Sequence, residues 1–179
     1  MILQAINCIQ KQLDPVVHCV TANIGEIIAG NANITTDPDI VISLINIEET
    51  RISRDPRNYL KSGPHLFLKN PAVHLNLTLL FTAIRSETAY DSALQNLQKV
   101  ILFFQGKYAF DHINTPILDP GIEKLILEMI TLNTEQLNHL WSIMGGRYQP
   151  SVIYKVRMVT IENISLDEGL PVKEVVLNF

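Results

Sequence analysis

Charge is scarce in this sequence: 18% of the residues are Asp, Glu, Lys or Arg, against roughly 25% in an average soluble domain. The 14 basic and 18 acidic residues leave a net charge of −4, which argues against a nucleic-acid partner, because such binding leans on a positive face. Cysteine is nearly absent. Cys8 and Cys19 stand eleven residues apart, a spacing that matches no zinc or thioredoxin motif, and two thiols make no disulfide framework. Both read as buried thiols of a reducing compartment. The eight glycines never cluster beyond Gly145-Gly146, and no G-x-S-x-G elbow, Walker loop or G-x-G-x-x-G occurs, so nothing predicts a phosphate cradle or a nucleophile elbow. Long hydrophobic runs are missing too. The most apolar stretch, residues 73–84, contains His74, Asn76, Thr78 and Thr82 and is far shorter than the roughly 20 residues of a membrane helix. The amino terminus has no basic start and no small-residue cleavage site, and reads as mature sequence rather than a signal peptide.

Histidines and carboxylates add no chemistry by their spacing. His18, His65, His74, His112 and His139 form no HxH, HxxxH or HExxH arrangement, which predicts no metal site. Glu48-Glu49 and Asp167-Glu168 are adjacent acids, and neighbours on a strand point to opposite faces, so they read as solvated surface rather than an acid/base pair. Trp141, in step with Leu137 and Met144, reads as core rather than a ligand platform. No catalytic residue, cofactor site or metal ligand is predicted.

What the chain has in quantity is apolar residues, 47% of its 179. A chain of this length buries about 70% of its unfolded surface, so residues 1–179 are expected to form one domain without staples. The low charge suggests that some surface is covered by pairing with another molecule. The work of the protein is then expected at surfaces that bind other proteins.

Periodicity predicts the elements. Ile2, Ile6, Ile9 and Leu13 recur every four residues until Pro15, an amphipathic helix. Residues 16–28, rich in Val, Ile and Thr, predict one strand or two broken near Gly25. Residues 29–39 are polar and loop-like. Residues 40–47 (IVISLINI) are apolar on both faces, as a central strand would be. A polar connection of about 17 residues follows; in it Arg51, Arg54 and Arg57 fall at every third position, either a solubilising loop or a basic clasp for carboxylates on a partner. Residues 73–84 alternate with period two, a strand with one buried face. Thr88 and Asp91 can cap a helix with Ala93, Leu97, Val100 and Phe104 in one stripe, ended by Gly106. Residues 122–132 fit both periods and are assigned to a strand. Asn133 with Gln136 caps a short helix closed by Gly145-Gly146. Residues 152–161 and 172–179 read as two further strands. The expected class is α/β (α+β): a mixed, mostly antiparallel sheet with about three helices packed on it.

Several segments carry a family resemblance: the opening helix, IVISLINI with the loop reaching Arg57-Asn58, HLFLKNPAVHLNLTLLFTA, and LWSIMGGRYQPSVIYKVRMVTIE. The last is the most specific, with Leu140, Trp141, Pro150, Ser151, Tyr154 and Val156 in a pattern of helix with Leu-Trp, turn, Pro-Ser and strand with Tyr. Together they resemble the amino-terminal domain of the cap, or tail-terminator, proteins of extracellular contractile injection systems of the virulence-cassette and antifeeding-prophage type. The chain has Lys69-Asn70-Pro71-Ala72-Val73 where the family has Pro-Pro-Leu before its Leu-rich strand. The resemblance implies a tail-terminator-like fold and a structural role, not an enzyme. A homo-oligomeric ring of about six copies would sit on the distal end of the inner tube and the contractile sheath and end their polymerisation. Its partners would be its own copies, the sheath protein and the inner tube protein. It would be cytoplasmic during assembly and afterwards part of the particle, with no membrane insertion. Sheath rings of this class exchange terminal strands, so the last strand is the candidate edge: Val172, Lys173, Glu174, Val175, Val176, Leu177 and Phe179. The arginines of the long loop are the second candidate interface. A cytoplasmic adaptor or assembly chaperone for the same particle is the alternative role.

Overall fold

The computed structural model describes residues 1–31, 38–50, 59–62, 65–68, 74–84, 90–160 and 168–169. The first helix, α1 (Ile2–Leu13), ends where Pro15 forbids another turn. It buries Ala5, Ile6, Cys8, Ile9 and Leu13, the stripe expected from their spacing.

The apolar run after it does not form a long strand. Only β1 (Cys19–Thr21) is extended, and residues Ile24–Ile28 form a five-residue helix, α2. Asn23 turns the chain: its side chain accepts the Gly25 N–H at 3.0 Å and caps the helix. The Ser43 hydroxyl fixes the same corner, accepting the Ile24 N–H at 3.1 Å and donating to the Ala22 carbonyl at 2.6 Å. A polar side chain from a distant strand therefore overrides local β propensity here.

Strands β2 (Ile40–Glu49), β5 (Leu75–Ala83), β7 (Ile122–Ile130) and β8 (Ser151–Thr160) are the long members of a six-stranded sheet. Short β3 (Tyr59–Ser62) and β4 (His65–Leu68) come between β2 and β5, and β6 (Ala109–Asp111) precedes β7. The order across the sheet is β1-β2-β5-β8-β7-β6, and β3, β4 and β9 (Glu168–Gly169) form a second, three-stranded sheet. The pair β1 and β2 is parallel, whereas the other neighbours in the large sheet are antiparallel. The predicted long polar connection is shorter than expected, because β2 runs on to Glu49 and β3 begins at Tyr59. Residues 51–58 between them, Thr88 and residues 172–179 lie outside the described residues.

Helices α3 (Tyr90–Gly106) and α4 (Thr134–Ile143) complete a mixed α/β fold. There are four helices among the described residues, one more than expected, because α2 stands in for the predicted strand. The sheet is covered on both faces. On one face α1 and α3 bury Ile9, Leu13, Val100 and Phe104 against Ile42, Leu79, Phe81 and Val156. Aromatic edges interlock there, with the Phe81 ring 5.3 Å from Phe104 and 5.6 Å from Tyr154. On the other face Ile24 of α2 and Trp141 of α4 pack on Val41, Leu80 and Ile153. Strand β5 is accordingly buried on both faces over most of its length, not on one as its alternation predicted; Leu80 and Thr82 are as inaccessible as Leu79 and Phe81.

Helix α4 has the expected reciprocal cap: Asn133 accepts the Gln136 N–H at 2.8 Å, and the Gln136 side chain accepts the Asn133 N–H at 3.1 Å. It stops at Gly145 and Gly146, whose φ values of 106° and 79° suit glycine and bring the Gly146 N–H back to the Trp141 carbonyl at 2.7 Å.

Both cysteines are free and buried. Burial pushes the Cys19 thiol up to about 12, with the Asp14 carboxylate adding to the shift, and raises Cys8 as well. A thiol whose ordinary value is 9.0 and whose folded value is about 12 stays protonated in the fold after it would ionise in the open chain. Its contribution to stability is therefore whole below pH 9 and is lost as pH rises from there toward 12. Iodoacetamide at pH 8 is expected to leave both cysteines unmodified in the native protein and to label both in urea; fast labelling of the native chain would contradict their burial.

Candidate interaction surfaces

The described part of the chain offers no reactive constellation. Among the described residues, no group of three His, Cys, Asp or Glu side chains could hold a metal ion, and no helix is long and apolar enough to cross a membrane. His18 is spent on a local contact, its Nδ1 lying 3.0 Å from the Asp14 carboxylate at the end of α1. That carboxylate also accepts the Cys19 N–H at 3.0 Å, and these bonds, the backbone one first, hold it below the usual carboxylate range. The arrangement is a helix-end lock, since it joins the last turn of α1 to the first residue of β1. Trp141 is buried on α4, with its ring 5.8 Å from Tyr148.

Of the sequence-predicted interface residues, Arg51, Arg54 and Arg57 lie outside the described residues, as do Val172, Lys173, Glu174, Val175, Val176, Leu177 and Phe179. The structure instead brings forward the distal half of β2. Its first four residues are buried, and from Leu44 onward it emerges from the core. The partner on its outer side, β1, accompanies it only as far as Thr21 opposite Ile42. One more bond, from the Ala22 N–H to the Ile42 carbonyl at 3.1 Å, closes that pairing before the chain turns into α2. Beyond it no described strand pairs with the outer edge of β2, and Leu44 and Ile47 are 37% and 45% exposed.

A register shift between Leu44 and Asn46 sits at this point. Such a bulge bends an edge and raises its local twist. Beyond it the Thr50 N–H bonds the His74 carbonyl at 2.8 Å, so by period two Glu48 and Asn46 turn their peptides toward β5, while Ile47, opposite Leu77, turns its own outward. The Ile47 N–H is met by the side chain of its own neighbour, Asn46 Oδ1, at 2.9 Å. The apolar reading of residues 40–47 as one central strand missed this change. The signal present in the sequence is the passage from Ile-Val-Ile to Asn-Ile-Glu-Glu within one strand.

Next to the emerging edge is a cavity of about 690 Å³ lined by Thr21, Ala22, Asn23, Gly25, Glu26, Ser43, Leu44, Ile143, Met144 and Gly145. It is bounded by the end of β1, the start of α2, the middle of β2 and the end of α4. Ile143 on its rim is 81% exposed. Glu26 is the one charged residue among its described lining.

The same face of the sheet, past the cover of α2 and α4, carries ion pairs across three strands. Lys155 of β8 reaches Glu48 of β2 at 3.3 Å over Thr78 of β5, a side chain small enough to let the lysine cross. Arg157 meets Glu128 of β7 at 2.8 Å. All four side chains are at least a third exposed, so the pairs add little to stability and serve mainly to keep this area wet. A strand edge unpaired among the described residues and lying beside a pocket is a geometry that suits recognition of an extended polypeptide.

Comparison with known proteins fits that picture. The profile of the Pvc16 N-terminal domain matches residues 7–174. A structure described as the PVC sheath/tube terminator of an extracellular contractile injection system, in its extended state, superposes with a TM-score of 0.62 at 16% identity, over 100% of this chain and 63% of the other. The anti-feeding prophage cap, described as a tube terminating cap, gives a TM-score of 0.63 at 16% identity, over 98% of this chain and 60% of the other. This chain therefore spans less than two thirds of either of those proteins, and at this identity the likeness is one of fold. No curated protein matches.

Proposed function

The chain belongs to the Pvc16 N-terminal domain family, and from that premise we propose that it is a structural cap, the tail terminator of a contractile, phage-tail-like injection particle. The observation that carries this reading is the shared fold, which covers 100% and 98% of this chain in two terminator structures. The surface supports it: a strand edge unpaired among the described residues and a low overall charge suit repeated protein contacts. In this reading residues 1–179 act as one cap domain. About six copies close a ring on the distal end of the inner tube and the sheath, through unlike faces of neighbouring copies. No bond is made or broken.

The last strand predicted from sequence is the candidate contact with the sheath. Removing residues 172–179 is expected to leave the chain folded, with unchanged circular dichroism, while abolishing sheath attachment. Electron micrographs of normal-length, sheathed particles from that variant would overturn the assignment. The arginine loop is the candidate contact with the tube or the adjacent copy. Replacing Arg51, Arg54 and Arg57 together with Glu is expected to weaken assembly, more at low salt than at high salt, because screening removes exposed charge effects beyond about 10 Å at 0.1 M. Assembly that is equal to wild type at both salt concentrations would return the loop to a solubilising role. Light scattering of the purified chain and imaging of the particle test the ring itself, and a cap is retained on the finished particle where an assembly chaperone is not.

A further inference from the structure

We propose that helix α4 is a latch: in the native protein it detaches from the sheet as one unit, hinged at Asn133 and at Gly145-Gly146, while the rest of the fold stays closed. The difference from the other helices lies in how each is fastened. Helix α1 is tied to β1 by polar bonds, from the Gln10 side chain to the Cys19 carbonyl at 3.0 Å and from the Cys19 N–H to the Asp14 carboxylate at 3.0 Å. The Ser43 hydroxyl holds the start of α2 at 3.1 Å, and α3 reaches the Asp39 carboxylate through Asn96 Nδ2 at 3.0 Å. Helix α4 has no such tie among the described residues. Its side-chain bonds, those between Gln136 and Asn133 and that of the Ser142 hydroxyl to the Asn138 carbonyl at 2.8 Å, stay within the helix and its cap.

Apolar contact is therefore what holds α4 down, and it is small. Of the ten residues only Trp141 is buried, with Leu137, Leu140 and, just past the end, Met144 half-buried around it. The ring partner of the indole, Tyr148 at 5.8 Å, is 57% exposed and lies on the connection that leaves the helix, so it does not anchor the tryptophan to the sheet. Open space borders the helix on two sides: the 690 Å³ cavity at Ile143 and Met144, and a second of about 250 Å³ lined by Leu137, Tyr148 and Ile153 among others. The buried indole N–H, without a partner among the described residues, gains a bond to water when the helix lifts. Gly145 and Gly146, at φ values of 106° and 79°, change these angles more freely than any other residue, as a hinge requires. Off the sheet a helix this short does not hold together in water, so lifting and unwinding are one step. Opening uncovers the sheet around Leu80 and Ile153, a face that the closed form hides. The inference goes beyond the cap reading and does not depend on it.

The test is native-state hydrogen exchange of the full chain, followed by NMR at neutral pH in low urea. Trp141 is the one tryptophan of the sequence, so its indole N–H gives a single signal that reports on the anchor itself. The amides of residues 138–143 and that indole proton are expected to exchange together, with the same weak dependence on urea, and about 100-fold or more faster than the amides of β5 and β8. Val100→Ala makes a small loss in the core on the other face of the sheet. It weakens the closed and the α4-open forms alike, so it is expected to speed exchange in β5 and β8 about tenfold and to leave α4 and the indole unchanged. Exchange of α4 at the rate of the sheet, or a rise in step with the sheet in Val100→Ala, would overturn the proposal. So would fast α4 amides over an indole proton as slow as the sheet, since the helix would then fray above a fixed tryptophan. None of these rates involves the particle: their failure leaves the cap reading standing, and a chain that opens α4 but caps no particle leaves the latch standing.

Discussion

Truncating Phe81 to alanine is expected to cost the fold about 3–5 kcal/mol, the usual loss for a fully buried aromatic in a core that cannot collapse around the gap. Phe81 is wholly inaccessible at the centre of β5. It touches α3 through Phe104, at 5.3 Å between rings, and β8 through Tyr154, at 5.6 Å. Phe104 in turn lies 4.8 Å from Tyr154 and 6.5 Å from Phe110, so the cavity would open among rings that rest on one another. For a chain of this size each kcal/mol moves the melting temperature by about 2–4 °C, giving a fall of roughly 10 °C. Calorimetry checks it. A fall of less than about 3 °C would mean that the aromatic cluster repacks freely and that the tight layer between α3 and the sheet is not what stabilises this face.

Trp141→Ala is expected to have an effect of similar size but different reach. Helix α4 buries a single residue, Trp141, among its ten, and a helix that short is not stable alone in water. Its cap from Asn133 and Gln136 contributes about 1 kcal/mol, too little to hold it against the sheet without the indole between Leu80 and Ile153. Amide exchange across α4 is therefore expected to rise toward the rate of an unfolded segment, while β5 and β8 stay protected. The indole N–H has no partner among the described residues, so truncation leaves no acceptor stranded there and the loss is one of packing. Uniform loss of protection over the whole sheet would contradict the separation of the two faces; no change in α4 would mean that partly buried Leu137 and Leu140 hold it.

The elements read most directly were those whose signal is local. The stripe of α1, the reciprocal cap of α4, the glycines that end it, and the assignment of residues 122–132 to a strand rather than a helix all agree with the structure. The mixed, mostly antiparallel sheet with helices on it was legible for the same reason, and the terminator-like fold was legible from the resemblance carried by residues such as Trp141 and Tyr154. Four short strands, β3, β4, β6 and β9, were not foreseen, since two to four residues are too few to display a period.

Sequence by itself determined the periods, caps and stops, because each depends on residues within a turn or two of one another, and it determined the family, because that resemblance is a pattern of residue types along the chain. Only the tertiary structure decided that residues 24–28 coil rather than extend, since the Ser43 hydroxyl that fixes their start comes from β2. It alone decided that β5 is buried on both faces, because Trp141 and Ile24 reach it from elements far away in the chain. The open edge of β2 is of the same kind: whether Leu44 and Ile47 meet a neighbour depends on where β1 ends, and strand adjacency is a non-local property that no window along β2 contains.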